Sequence, residues 1–278
     1  MWLRPFCWLI LALLALPAYA DPILGSAGSF GVLGGSAVTN TGPTTINGDL
    51  GVYPGTSITN TNGITINGTA YSGSATPPNN AGAATAQSDA TTAYNGLAGM
   101  SVTTNLTGED LGGLTLTPGV YKFDSSADLT GTLTLNGEGN ENALWVFIIG
   151  STLTTASGPS AASVNVIDAG SNDGIFWDVG SSATLGTATA FEGNILASAS
   201  ITLDTGSSIG CGSALASTGA VTLDDNTITT GCSGGGTITN GVVTAFPYAA
   251  PVPEPGSMAL LGSGLFALAG QVRRKLRK

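Results

Sequence analysis

The chain has 278 residues, a formal net charge of −10, no histidine and 42 glycines. Six of its seven basic residues crowd the two ends; between Arg4 and Arg273 the one cation is Lys122. A body this poor in cations cannot neutralise a phosphate backbone or hold an anionic membrane surface, which excludes nucleic-acid binding, and the lack of histidine removes the commonest general base and metal ligand.

Residues 1–20 read as a secretory signal peptide. Arg4 supplies the positive start, residues 9–16 the apolar stretch, and Ala18, Tyr19 and Ala20 the small-x-small cleavage site. Residues 21–240 read as one β-rich domain. Alternating threonine and aliphatic residues at 44–50 recur at 64–70, and shorter versions follow at 114–116, 129–135, 201–203 and 221–223. A two-residue period bounded by Gly, Asn and Asp predicts half-buried strands with tight corners. The runs 144–151 and 174–181 are expected to pair, as are 191–198 and 211–217. Degenerate repeats of this kind suit stacked coils, although short strands with regular turns also suit a β-sandwich.

One segment breaks the period. Ala83, Ala86, Ala90, Ala93 and Leu97 recur every three or four residues after Pro77 and Pro78, which predicts one long helix over about 80–98. Asn79 or Asn80 is placed to cap its start and Gly99 to end it. Cys211 and Cys232 remain after the leader takes Cys7, and an even pair in an oxidising compartment predicts a disulfide. No cofactor and no metal site is expected.

Residues 241–251 read as a linker. Residues 252–278 begin with Pro253, Glu254 and Pro255, continue through an apolar stretch at 258–269, and end in the basic cluster from Arg273 to Lys278. This order resembles the PEP-CTERM sorting signal. The resemblance implies recognition by an exosortase and transient inner-membrane insertion of a short transmembrane helix, with the basic end cytoplasmic. It also implies a body that is secreted or held at the cell surface of a Gram-negative bacterium.

The body carries its own resemblance. Residues 24–30, the block 111–123, Phe176 to Val179 and Phe191 to Ala197, in that order around one helix, resemble the ice-binding-like domain of secreted microbial antifreeze proteins. This implies a mainly β fold: an irregular right-handed β-solenoid of triangular cross-section with the long helix packed alongside. It also implies an ice crystal surface as partner, met by a flat β face without catalysis. Aligning Gly48, Gly68, Gly193 and Gly212 and counting alternation from inward Ile46, Leu50, Ile66 and Ile195 places a set of residues outward. The set is Asn47, Asp49, Asn67, Thr69, Tyr71, Glu192, Asn194, Leu196, Ser198, Ser213, Leu215 and Ser217, and it is the expected ice-binding face. Thr115, Thr132, Thr134, Thr202 and Thr222 form an alternative. A structural or adhesive role in an exopolysaccharide matrix is the competing function. The Gly-x-Ser-x-Gly string at 206–210 has no histidine to serve it and reads as a strand corner.

Overall fold

The computed structural model describes residues 22–72 and 80–247. The signal peptide and the sorting tail, including Pro253, Glu254 and Pro255, lie outside the described residues. Three parallel sheets of nine, seven and eight strands stack into a solenoid, and an antiparallel hairpin, Gly236–Thr239 with Val242–Ala245, follows them. The hairpin carries ordered structure into the stretch read as linker. The expected pairings hold: Leu144–Ile149 lies in register with Gly174–Val179, and Asn194–Ala197 with Ala214–Ala216.

Coil order does not follow chain order. The chain starts near the middle of the stack at Phe30–Gly34 and builds outward to Ala70–Tyr71 at one end. It re-enters at the opposite end with Thr104–Asn105 and coils back until Ala214–Ala216 pairs with Phe30–Gly34. Helix α1, Ala81–Ala98, lies between these two passages. Its 18 residues span about 27 Å, enough to carry the chain along much of the stack. The coils from the two passages close on each other through Val38–Val221 and Ile46–Ile228 pairs.

Strand interiors alternate as the sequence predicts, and the inward residues form one narrow core. In the nine-stranded sheet the inward column runs Tyr121, Phe147, Trp177, Ile195, Ala214, Val32 and Leu50. Phe147 stacks on Trp177 with centroids 3.9 Å apart. The buried indole nitrogens are satisfied, Trp145 Nε1 donating to Leu116 O and Trp177 Nε1 to Glu192 O. At the corner into this sheet, glycine backbones sit directly on one another. A Cβ on Gly212 would run into the carbonyl of Gly193, and one on Gly68 into that of Gly48. This close approach is why the aligned glycines are there.

The predicted helical stripe is buried: Ala83, Ala86, Ala90, Ala93 and Leu97 all face the nine-stranded sheet. Asn80 occupies the N-cap position, but its side chain makes no capping bond. It donates instead to Val52 O at 2.7 Å and so ties the helix start to the sheet. Gly96 brings the other end against the hairpin, next to Gly241 O and Ile238. Cys211 and Cys232 form the expected disulfide, with Cα atoms 5.5 Å apart.

Candidate functional site

The three sheets give three outward faces, and their residues make them unlike. On the nine-stranded sheet the outward column reads Lys122, Ile148, Asp178, Leu196, Leu215, Leu33, Gly51 and Tyr71. Aliphatic side chains in this column pack under α1, and Val243 of the hairpin joins the same cluster. This is the helix face.

Burial here corrects much of the expected ice-binding set. Asn194 is 1 % exposed, Leu196 2 %, Ser213 0 % and Leu215 3 %. The alternation count was right, but the outward side of this sheet is covered by the chain itself. Asn194 Nδ2 donates to the carbonyls of Ile175, Gly231 and Cys232, which lock the segment after the last coil onto the sheet. Ser198 and Ser217 are half-buried and line a small cavity with Gln87 and Tyr94 of α1. Asn47, Asp49, Asn67, Thr69 and Glu192 reach solvent at or near the glycine corner, and Tyr71 packs on Phe30. Asn67 donates to Asn47 and Asn47 to Thr229, while Asp49 accepts from Ser29 Oγ and Thr69 N. These residues straddle a corner and do not make one plane.

The seven-stranded sheet is different. Its strands are Ala127–Leu129, Leu153–Thr155, Ala183–Leu185, Ile201–Leu203, Val221–Leu223, Ala37–Asn40 and Ser57–Asn60, in that order. The outward residue at the centre of each strand is, in register, Asp128, Thr154, Thr184, Thr202, Thr222, Thr39 and Thr59. Six consecutive threonines therefore form a ladder closed at one end by a carboxylate. Two residues earlier stand Ser126, Thr152, Ser182, Ser200, Ala220, Ala37 and Ser57, so the neighbouring column is also small. Parallel strands lie about 4.8 Å apart, which makes the seven-strand plane roughly 29 Å long. Among the described residues the hydroxyls of these six threonines have no protein partner. Each is β-branched and so stiff at χ1.

The eight-stranded sheet carries a comparable column, Thr132, Ser163, Ala190, Ser208, Thr227, Thr45 and Thr65. It is less uniform. Thr132 and Ser163 bond each other at 2.8 Å, Ile167 stands exposed, and the register shifts between Asn136 and Asn140 and between Phe191 and Glu192. The alternative threonine set divides accordingly: Thr115, Thr132 and Thr134 fall on this face, and Thr202 and Thr222 on the ladder. Thr154, Thr184, Thr39 and Thr59 were missed. Their signal was a threonine after an aliphatic residue, recurring at uneven spacing that hid the stack.

Among the carboxylates with shifted protonation, Asp178 and Glu192 are pushed furthest up. Burial pushes Asp178 up to about 7; it lies 2 % exposed under α1 with Oδ1 unpartnered. Burial pushes Glu192 up to about 6, with the Cys211 backbone hydrogen bond opposing and the Asp173 charge adding. Glu192 also lies with Cys211 and Cys232 within ligand-cluster distance, but the two sulfurs are bonded to each other and supply no thiolate. The Gly-x-Ser-x-Gly string forms a coil corner, where Ser207 is buried and accepts from Asn226 Nδ2.

Comparison with known proteins bears on the family and the fold. The ice-binding-like family model covers residues 32–229, and the PEP-CTERM protein-sorting motif covers 251–275. An ice-binding protein from Nostoc sp. (strain HG1) is 49 % identical over 92 % of this chain and 88 % of its own. The solved domain of Shewanella frigidimarina ice-binding protein 1 aligns with a TM-score of 0.67 at 31 % identity, over 76 % of this chain and 98 % of its own. A crystal structure of an ice-binding protein from an Antarctic biological consortium aligns with a TM-score of 0.67 at 44 % identity, over 76 % of this chain and 91 % of its own. The solved Shewanella domain lies almost wholly within the aligned body. The chain belongs to the ice-binding-like family, as a β-solenoid body followed by a PEP-CTERM sorting motif.

Proposed function

We propose that this protein binds ice through the threonine ladder of its seven-stranded sheet and restrains ice growth or recrystallisation outside the cell. The observation that carries the assignment is the ladder itself: six stacked threonines in continuous register, with hydroxyls not used inside the protein. Each rung offers a methyl and a hydroxyl at the strand repeat. The methyls exclude bulk water, and the hydroxyls hold a water layer without the strong reorientation a charge imposes. The face is already stiff, so adsorption costs little side-chain entropy. Many weak contacts then act together on one plane. Ice between adsorbed molecules must advance as a curved front, and curvature lowers its local freezing temperature. Nothing in this mechanism calls on covalent catalysis.

In this reading the leader 1–20 exports the chain. The tail 252–278 inserts transiently in the inner membrane until an exosortase removes it, which delivers the body to the cell surface or the medium. The test is partition of the body, lacking leader and tail, between polycrystalline ice and liquid, with purified exopolysaccharide in a parallel arm. The ladder predicts enrichment in ice. Exclusion from ice with retention on polysaccharide would replace this reading with the matrix role.

A further inference from the structure

The outermost coils of the described solenoid differ in charge. At one end the outermost strands are Thr104–Asn105, Thr115–Leu116 and Ala127–Leu129. Glu109, Asp110, Asp124 and Asp128 crowd this coil. The Asp110 carboxylate accepts from the Gly112 and Thr130 amides and from Thr130 Oγ1, and Lys122 pairs with Asp124 at 2.7 Å. At the other end the outermost strands are Ser57–Asn60, Ile64–Ile66 and Ala70–Tyr71. No charged residue occurs anywhere from Leu50 to Ser88. Ile58 and Ile66 point inward like Val38 and Ile46 one coil earlier. Val38 and Ile46 are fully buried, whereas Ile58, Ile64 and Ile66 stay half-exposed, and among the described residues no further coil covers them. Open strand edges beside apolar side chains invite pairing, and charged residues are the usual guard. Among the described residues, carboxylates guard one end and no charged side chain stands on the outermost coil of the other.

We propose that the neutral end is a self-association surface on which a second copy of this chain stacks, neutral coil against neutral coil. The acidic balance of the chain favours this place over others. Between Arg4 and Arg273 Lys122 is the one cation, so most approaches of two bodies bring carboxylates together without compensation. Between Leu50 and Ser88 there is no charge to desolvate or repel, and the neighbouring carboxylate Asp49 stands one coil in, held by Ser29 Oγ and Thr69 N. The two ends are unlike, so head-to-tail stacking sets the bare coil against Asp110 and Asp128 and strips their water. End-on pairing of like coils is isologous and closes at a dimer. With the two-fold axis perpendicular to the seven-stranded sheet, Ser57–Asn60 meets its symmetry mate and both ladders lie in one plane.

Sedimentation velocity of the body, from micromolar to about 100 µM, tests the proposal. The expected result is a monomer–dimer equilibrium. Thr65→Glu with Asn62→Asp, both exposed at the neutral end, should raise the dimer dissociation constant by about tenfold or more. Ser125→Glu at the acidic end should leave it unchanged. Far-UV circular dichroism melts identical to the parent establish that the variants are folded. A parent that stays monomeric over this range overturns the proposal. So does a dimer that survives the neutral-end carboxylates, or one that Ser125→Glu dissolves equally.

Discussion

The helix face and the threonine face are built from the same alternation, on sheets of the same solenoid, yet the chain covers one and leaves the other open. The middle of the outward column of the helix face carries Ile148, Leu196, Leu215 and Leu33, and α1 answers it with a stripe of alanines small enough to approach closely. Its burial stabilises the fold through the hydrophobic effect. The outward column of the ladder is threonine, too small and too polar to attract a helix, and it stays in water. Which face the chain covers and which it leaves open is thus decided by the central residue of strands only a few residues long.

The largest effect that separates the two faces is expected from Ala86→Arg. Ala86 is fully buried between α1 and the sheet, and a charged, bulky side chain there should cost about 3–5 kcal/mol, read as a fall in the urea midpoint. Next comes Cys211→Ser with Cys232→Ser. The bridge closes a loop of 21 residues and holds the segment that covers Asn194, so its loss should cost about 3 kcal/mol. Ice affinity per folded molecule should persist in both variants.

Asp178 gives a smaller, pH-dependent effect. Its folded pKa is raised, so between about 4 and about 7 the folded state binds the proton that the unfolded state has released. The neutral carboxyl stabilises fully below about 4, and that stability is lost as pH rises through 7. Glu192 acts in the same direction up to about 6. Asp178→Leu, which continues the Ile148 and Leu196 column, should raise the melting temperature at pH 8 by several degrees and flatten its pH dependence. A variant that melts lower than the parent at pH 8 would contradict the burial account.

Much of this fold was legible because its signals are local. The period-two runs, the Ala83 to Leu97 stripe, the stacked glycines and the cysteine pair each report on a few neighbouring residues. The site was less legible because it depends on stacking order. Thr39 lies on Thr222, far away in sequence, and Thr184 lies on Thr202; no local count shows both. Alternation placed Leu196 and Leu215 outward correctly. Their side chains were the warning that this outward face is covered, since two neighbouring exposed leucines on a rigid plane need a lid.

The most direct measurement of the central claim is thermal hysteresis, with ice-recrystallisation inhibition, of Thr202→Tyr beside Ser208→Tyr. The first residue lies mid-ladder and the second lies mid-column on the eight-stranded sheet; both are partly exposed, so each substitution should change stability by only about 0.5 kcal/mol. The account predicts that Thr202→Tyr loses most of its activity on ice while Ser208→Tyr keeps it. Full activity in Thr202→Tyr with loss in Ser208→Tyr would move the ice-binding plane to the eight-stranded sheet and contradict the assignment.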